Sequence, residues 1–185
     1  MGKITLIIGG ARSGKSSYAQ QLAKNRGLSV GYVATAQALD EEMTARIDVH
    51  RKDRPFEWFT YEIPMHVGEE LGKIKISAGI VILDCLTLLI TNRLLSACGS
   101  IEIPDEKIAK QEIESEIFEL IQFMELSDNE WIVVSNEVGL GVVPPYPLGR
   151  IYRDFQGWAN QRIAQLSTDI FWMVAGIPVP IHQYK

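Results

Sequence analysis

Residues 9–16, which read Gly-Gly-Ala-Arg-Ser-Gly-Lys-Ser, carry the clearest chemical pattern in the sequence. Their glycine and lysine spacing is that of a P-loop, and they lie between an apolar run and a helix-forming segment. In this setting backbone N–H groups surround a phosphate, lysine offsets the charge of β- and γ-phosphate oxygens, and serine can bind Mg²⁺. A glycine-rich turn that only packs is the alternative, but strand, spacing and the Lys-Ser pair together favour a nucleoside triphosphate site. The predicted site comprises Gly9, Gly10, Ala11, Arg12, Ser13, Gly14, Lys15 and Ser16, with Lys15 as the catalytic cation.

Asp84 follows the apolar run Ile-Val-Ile-Leu at residues 80–83. A carboxylate at the end of a central parallel strand emerges at the edge of the sheet where the phosphate loop lies. We therefore expect Asp84 to act as a Walker B carboxylate that binds Mg²⁺ together with Ser16, directly or through water. An ordinary helix cap is the alternative role for an aspartate at this position.

His50 lies in the densest basic stretch of the chain, residues 46–55. An imidazole nitrogen can attack the α-phosphate of a triphosphate and form a covalent nucleotidyl-histidine, provided that nearby cations offset the accumulated negative charge. Arg46, Arg51 and Arg54 could supply those cations. A histidine among charged residues is more often a solvated surface residue, so the residues alone leave both interpretations open.

The composition narrows the class of protein. The chain has 185 residues, of which 46% are apolar, which suits one domain with one sizeable core. Its formal net charge is -5, which argues against a nucleic acid partner. The short apolar start, broken by two glycines, predicts no membrane span. Two cysteines without a paired framework indicate a reducing, cytoplasmic setting.

Short runs rich in Ile and Val alternate with segments of helical period, which predicts a single-domain α/β fold of the P-loop NTPase type, RecA-like, with a mainly parallel sheet flanked by helices. Predicted strands cover residues 4–8, 30–34, 79–83, 131–135 and 170–174. Predicted helices cover residues 16–25, 41–50, 86–95, 105–124 and 148–165, with Asp40 and Asp105 as N-caps and Gly27 after the first helix. Residues 97–104 and 142–149 are predicted to be irregular surface loops near the site.

The chain resembles the bifunctional adenosylcobinamide kinase and adenosylcobinamide-phosphate guanylyltransferase family over nearly its whole length. The resemblance rests on the P-loop, on Tyr-Val-Ala-Thr-Ala at residues 32–36 and on His-Arg-Lys-Asp-Arg-Pro at residues 50–55, followed by Trp58, Thr60 and Glu62. Later blocks are residues 84–87, 135–144 and 150–161.

This resemblance implies that His50 becomes guanylylated, that the substrates are a corrinoid with GTP and ATP, that Mg²⁺ is required and that the protein is a homotrimer. It also implies a set of guanine nucleotide ligands beyond the P-loop: Ala34, Thr35, Ala36, Arg51, Lys52, Asp53, Arg54, Glu62 and Asp84.

Two features depart from the family pattern: Leu89 stands where many relatives have tryptophan, and residues 180–185 match no block. The corrinoid contacts could differ accordingly. The guanine-reading Asn-Lys-x-Asp pattern of regulatory GTPases is missing from the sequence. A single-activity small-molecule kinase and a non-catalytic guanine-nucleotide-binding module remain alternatives to the bifunctional enzyme.

Overall fold

The computed structural model describes residues 2–74, 76–98 and 104–181. Seven strands form one sheet: β1 (Ile4–Gly9), β2 (Val30–Ala34), β3 (Phe59–Glu62), β4 (Ile80–Asp84), β5 (Glu130–Asn136), β6 (Asp169–Val174) and β7 (Ile177–Ile181). The helices are α1 (Lys15–Asn25), α2 (Glu41–Lys52), α3 (Val67–Lys73), α4 (Leu86–Ala97), α5 (Glu106–Leu126) and α6 (Pro147–Leu166).

The strand order is β3-β2-β4-β5-β1-β6-β7. Strands β1 to β6 pair in parallel, and only β7 runs antiparallel, along β6. The P-loop follows β1, and β5 separates β1 from β4, as in RecA-type P-loop proteins. All parallel strands therefore present their carboxyl ends, and the polar residues that follow them, at one edge of the sheet.

Alternate residues of the central strands pack into two cores, one on each face of the sheet. Leu6, Leu83 and Trp131 belong to the larger core, which also contains the apolar faces of helices α3 to α6. Ile7 and Ile82 face the other way, where the small alanines of α1 cover the sheet. Because both faces of β1, β4 and β5 are buried, these strands are almost continuously apolar, and their sequences predict them well.

The predicted strands and helices are confirmed, with ends that differ by a few residues. Asp40 caps α2, and its carboxylate accepts a hydrogen bond from the Met43 backbone N–H at 2.7 Å. Asp105 caps α5 in the same way. Gly27 has a φ of 66° and follows α1, as expected for a glycine at a helix end.

Three elements were not predicted, and one boundary was wrong. Strand β3 is a short edge strand with no buried residue, β7 contains two prolines at the other edge, and α3 has seven residues. Each is too short or too exposed to give a clear periodicity. Helix α6 begins at Pro147, inside the stretch 142–149 that we predicted to be irregular, because proline fits the first turn of a helix. Helix α4 extends to Ala97, and residues 99–103 of the other predicted loop lie outside the described residues.

Among the helices of the described residues, none combines the length and the hydrophobicity needed to cross a membrane.

Candidate active site

The P-loop, residues 9–16, is held tightly between β1, α1 and the turn that joins β6 to β7. A Cβ added to Gly9 would lie 2.6 Å from the Met173 carbonyl oxygen, so only glycine fits there. Gly14 has a φ of 93°, which also favours glycine. The backbone N–H of Gly176 donates to the Ser13 carbonyl at 3.0 Å, so the β6–β7 turn supports the loop from outside.

Two polar side chains of the P-loop are buried in a way that fits an anion. Lys15 is only 8% exposed, and its Nζ donates to the Gly10 carbonyl at 2.6 Å. Burial lowers the pKa of Lys15, although nearby Cys85 and Asp84 act in the opposite direction. The Ser13 hydroxyl is buried and has no hydrogen-bond partner within the described part of the chain. Phosphate oxygens would stabilise the Lys15 ammonium and accept a hydrogen bond from Ser13.

Asp84 ends β4 in register with Ala34 on β2, at the carboxyl edge of the sheet. Its position therefore agrees with the prediction, and the N-cap of α4 is Cys85, so Asp84 does not occupy the capping position. The Asp84 carboxylate accepts a hydrogen bond from the Tyr32 hydroxyl. Burial, followed by the charge of Asp84, raises the pKa of the Cys85 thiol to about 12. Ser16 and Asp84 offer oxygen ligands of the kind that Mg²⁺ prefers.

Tyr32 connects Asp84 to the basic segment, a role that the sequence did not suggest. The ring is 1% exposed, and burial, followed by the Asp84 charge, raises the pKa of its hydroxyl. The Arg54 guanidinium carbon lies 3.9 Å from the ring centroid, and Trp58 stacks at a centroid distance of 6.3 Å. The sequence did contain one indication of this contact: a hydroxyl in an otherwise apolar buried strand needs a hydrogen-bond partner in the interior.

His50 lies in the last turn of α2, a helix with no buried residue. The side chain is exposed, and within residues 2–74, 76–98 and 104–181 it forms no hydrogen bond or ion pair. The structure thus does not bring His50 into contact with the P-loop. Neighbouring Arg51 forms an ion pair with Glu62 at the end of β3, so the end of α2 is tied to the carboxyl edge of the sheet.

The remaining predicted nucleotide ligands lie along the same edge. Glu62 and Asp84 both align with Ala34, on either side of β2. Thr35 is fully buried, and its hydroxyl donates to the Cys85 carbonyl and accepts from the Cys85 N–H, both at 2.8 Å. The Thr35 side chain thus links the end of β2 to the backbone that follows β4. The next residue, Ala36, is half-buried. Lys52 and Asp53 are exposed at the end of α2.

The segment after β5 borders the P-loop directly. The Glu137 backbone N–H donates to the Gly9 carbonyl at 3.1 Å. One residue earlier, the Asn136 N–H donates to the Thr87 hydroxyl at 2.8 Å, and its carbonyl accepts from Asn160 at 3.0 Å. Helices α4 and α6 therefore fix this segment beside the phosphate loop. Thr87 and Asn160 had no predicted role, because their contacts join residues that are distant in the sequence.

Comparison with known proteins decides the family. The model of the cobinamide kinase / cobinamide phosphate guanyltransferase family matches residues 5–181. This chain belongs to that family. It is 42% identical, over 95% of both chains, to the bifunctional adenosylcobalamin biosynthesis protein CobP of Pseudomonas aeruginosa. It is 40% identical to the bifunctional protein CobU of Escherichia coli K12, over 95% of this chain and 98% of that protein.

The corresponding CobU of Salmonella typhimurium is 37% identical over the same shares of the two chains. Among solved structures, the RadB recombinase is similar with a TM-score of 0.47 and 17% identity, over 92% of this chain and 73% of that one. The family model, which matches residues 5–181, spans the P-loop, the basic segment and the segment after β5.

Proposed function

We propose that this chain catalyses two successive reactions on a corrinoid. The first phosphorylates the aminopropanol hydroxyl of adenosylcobinamide, and the second transfers GMP from GTP to the new phosphate, which gives adenosylcobinamide-GDP. Family membership supports both activities. The observation that carries the proposal is that a P-loop and a histidine-bearing basic segment are joined through Arg54, Tyr32 and Asp84.

In the kinase reaction the P-loop holds the triphosphate, and Lys15 offsets the negative charge on the transferring phosphoryl group. Bound Mg²⁺ supplies further charge neutralisation at the β- and γ-phosphates. Ser16 and Asp84 would hold it, directly or through water. The Tyr32 hydroxyl fixes the orientation of the Asp84 carboxylate by donating a hydrogen bond to it. ATP and GTP carry the same triphosphate, so the P-loop by itself does not distinguish between them as donors.

In the transfer reaction a neutral His50 nitrogen attacks the α-phosphorus of GTP. A P–N bond forms, the bond to the β-phosphate oxygen breaks, and pyrophosphate leaves with its electron pair. A phosphate oxygen of the phosphorylated corrinoid then attacks the same phosphorus and releases the imidazole. The cations of the basic segment, Arg51, Lys52 and Arg54, offset the charge of the two phosphate groups. Ala34, Thr35, Ala36, Asp53 and Glu62 complete the guanine nucleotide site.

The exposure of His50 suits a nucleophile that must meet two large substrates in turn. Because the His50 side chain has no hydrogen bond or ion pair within the described residues, we infer that another surface completes its site. We therefore propose a homotrimer, as the resemblance implies, in which a neighbouring copy contributes to the nucleotide site. Supporting this, α2 has no buried residue, and Leu39, Val49, Phe56 and Phe59 are exposed on and around it. The two free cysteines suit a reducing cytoplasm.

Labelled GTP separates this proposal from its two rivals. The purified protein is incubated with Mg²⁺ and GTP labelled at the α- or the γ-phosphate, first without and then with adenosylcobinamide. In the bifunctional enzyme γ-label should pass to the corrinoid, whereas α-label should bind to the protein before adenosylcobinamide is added and move to the corrinoid after its addition. The protein-bound label should be lost in acid and stable in alkali, as a phosphoramidate is. A single-activity kinase would label the corrinoid alone, and a binding module would label neither.

A further inference from the structure

The segment between β5 and α6 exposes an unusual amount of apolar surface. Val142 is 95% exposed, Leu140 80%, and Val143 and Tyr146 57% each. We call residues 140–146 the apolar loop. Single exposed apolar residues are common on soluble proteins, but four large ones within seven consecutive residues form a patch of the kind that binds a ligand or a partner.

Hydrogen bonds anchor the backbone at both ends of the apolar loop. At its start, the Arg153 guanidinium donates to the Gly139 carbonyl at 2.9 Å. At its end, Arg150 donates to the carbonyls of Pro144 and Pro145 at 3.1 and 2.9 Å. The apolar side chains are therefore presented by a fixed backbone, which reduces the entropy lost when a ligand binds.

The apolar loop begins a short distance along the chain from a contact with the P-loop. Its chain enters from Glu137, whose N–H donates to the Gly9 carbonyl at 3.1 Å. Leu140 follows three residues later and so lies within about 10 Å of that contact, since an extended residue spans at most about 3.5 Å. A ligand that rests on the start of the apolar loop would therefore lie close to the P-loop.

We propose that the apolar loop is the surface on which the corrinoid macrocycle of the acceptor docks. This inference rests on the proposed function. The hydroxyl that receives the phosphoryl group must reach the γ-phosphate, so the rest of a large acceptor must lie on the surface next to the P-loop. A corrin ring carries many methyl groups along its edge, and the exposed Leu140, Val142 and Val143 side chains match that chemistry.

A second copy of the chain is the other occupant to consider. The exposed apolar residues that we assign to the contact between copies lie on α2 and beside β3, and strands β2 and β4 separate β3 from β5. The apolar loop thus belongs to a different part of the carboxyl edge. Its direct connection to Gly9 favours a substrate over a neighbouring subunit.

The test compares two equally exposed leucines in the full-length protein. Leu140→Ser removes apolar surface from the loop, and Leu126→Ser is the matched control, because Leu126 is also 80% exposed but ends α5 at the opposite edge of the sheet. We expect Leu140→Ser to raise the KM for adenosylcobinamide in the kinase reaction about tenfold with little change in kcat. Equilibrium dialysis against cobinamide, without any nucleotide, should give the same loss of affinity. Leu126→Ser should match the unchanged protein in both measurements.

Protein labelling from α-labelled GTP in the absence of corrinoid separates this inference from the proposed function. Leu140→Ser should take up label like the unchanged protein, because that step involves no acceptor. Equal KM and equal cobinamide affinity in the two serine variants would overturn the docking surface, as would a fall in oligomeric mass on size-exclusion chromatography with light scattering. An unchanged protein that binds and phosphorylates cobinamide but takes no label would refute the guanylyl-histidine alone. One that does not bind cobinamide would refute the docking surface too.

Discussion

At the residue scale, the chemistry of the site depends on contacts between segments that are far apart in the sequence. Tyr32 donates to Asp84, carries the Arg54 guanidinium on its ring and stacks on Trp58. The hydroxyl therefore contacts Asp84, the predicted Mg²⁺ ligand, whereas the ring contacts Arg54 of the basic segment. These two effects can be separated, because phenylalanine keeps the ring and loses only the hydroxyl.

Tyr32→Phe should raise the Mg²⁺ concentration needed for half-maximal kinase activity about tenfold, because a hydrogen bond to a charged group is lost from Asp84. Binding of a fluorescent GTP analogue should show the same shift in a Mg²⁺ titration. At saturating Mg²⁺ the kcat should stay close to that of the unchanged protein. Tyr61→Phe, which removes a tyrosine hydroxyl from the edge strand β3, is the control. Equal Mg²⁺ dependence in the two variants would mean that Tyr32 does not orient Asp84.

Cys85 gives a prediction on pH. The thiolate is the form that reacts with iodoacetamide, and the raised pKa of about 12 keeps Cys85 protonated across the neutral range. Alkylation of native Cys85 at pH 8.5 should therefore be at least about a hundredfold slower than in urea, where its pKa returns to about 8.5. The rate should rise with pH until the protein unfolds. Peptide mass spectrometry measures each cysteine separately, and equal rates in native and unfolded protein would contradict the buried environment.

At the scale of elements, a buried ionic cluster joins α3, α4 and α5, three of the four helices that cover one face of the sheet. Glu116 of α5 is 1% exposed and accepts hydrogen bonds from the backbone N–H groups of His66 and Val67, at 2.7 and 2.8 Å. Arg93 of α4 lies beside it, with its Nε 3.5 Å from a Glu116 oxygen, and also pairs with Glu112. The short helix α3 thus starts where α5 supplies a carboxylate, which explains a helix that its own sequence does not predict.

Glu116→Ala should lower the free energy of unfolding by about 3 kcal/mol, because it leaves two buried N–H groups and part of the Arg93 charge without a partner. Urea denaturation followed by circular dichroism gives this value. Glu114→Ala on the same helix breaks only a surface pair with Lys110, 3.9 Å apart, and should cost about 0.5 kcal/mol or less. If both variants lose the same stability, the cluster does not stabilise the packing of α3.

The sequence predicted the strands and helices that are largely buried, because burial requires a regular apolar pattern. It also predicted where the candidate site residues lie in relation to these elements. Gly9 and Asp84 are the last residues of strands, Lys15 is the first residue of a helix, and these elements are visible as patterns in the sequence. Edge elements such as β3 and β7 carry no such pattern, because their side chains are solvated and their pairing depends on neighbours. Roles that depend on contacts between distant residues, such as that of Tyr32, could not be predicted for the same reason.

At the scale of the whole molecule, the two parts of the proposed site differ in how much of the chain packs around them. The P-loop is surrounded by β1, α1 and the β6–β7 turn, whereas α2 projects His50 from a helix that has no buried residue. A helix without a buried face is stabilised mainly by its cap and by ion pairs, and its Glu42–Arg46 pair is exposed. Such a helix gains most from contact with another copy.

The proposed homotrimer, which the family resemblance implies, predicts three times the mass of one chain on size-exclusion chromatography with light scattering. Phe56 is 99% exposed just beyond α2, and Phe56→Asp should shift the mass toward that of a single chain, since a charge in an apolar contact is costly. Leu126→Asp, at the far edge of the sheet, should leave the mass unchanged. A monomer at micromolar concentration in the unchanged protein would refute the trimer.

We propose that one chain performs two phosphorus transfers and that His50 serves only one of them. The decisive measurement is therefore the rate of each reaction in His50→Ala. Kinase transfer passes a phosphoryl group directly to a hydroxyl and needs only the cradle and the metal, so it should stay within a few-fold of the unchanged protein. Transfer of GMP should fall by at least about a thousandfold, because the substitution removes the imidazole that we propose as the acceptor of the α-phosphorus. Loss of both activities together, or GMP transfer that survives the substitution, would contradict the account.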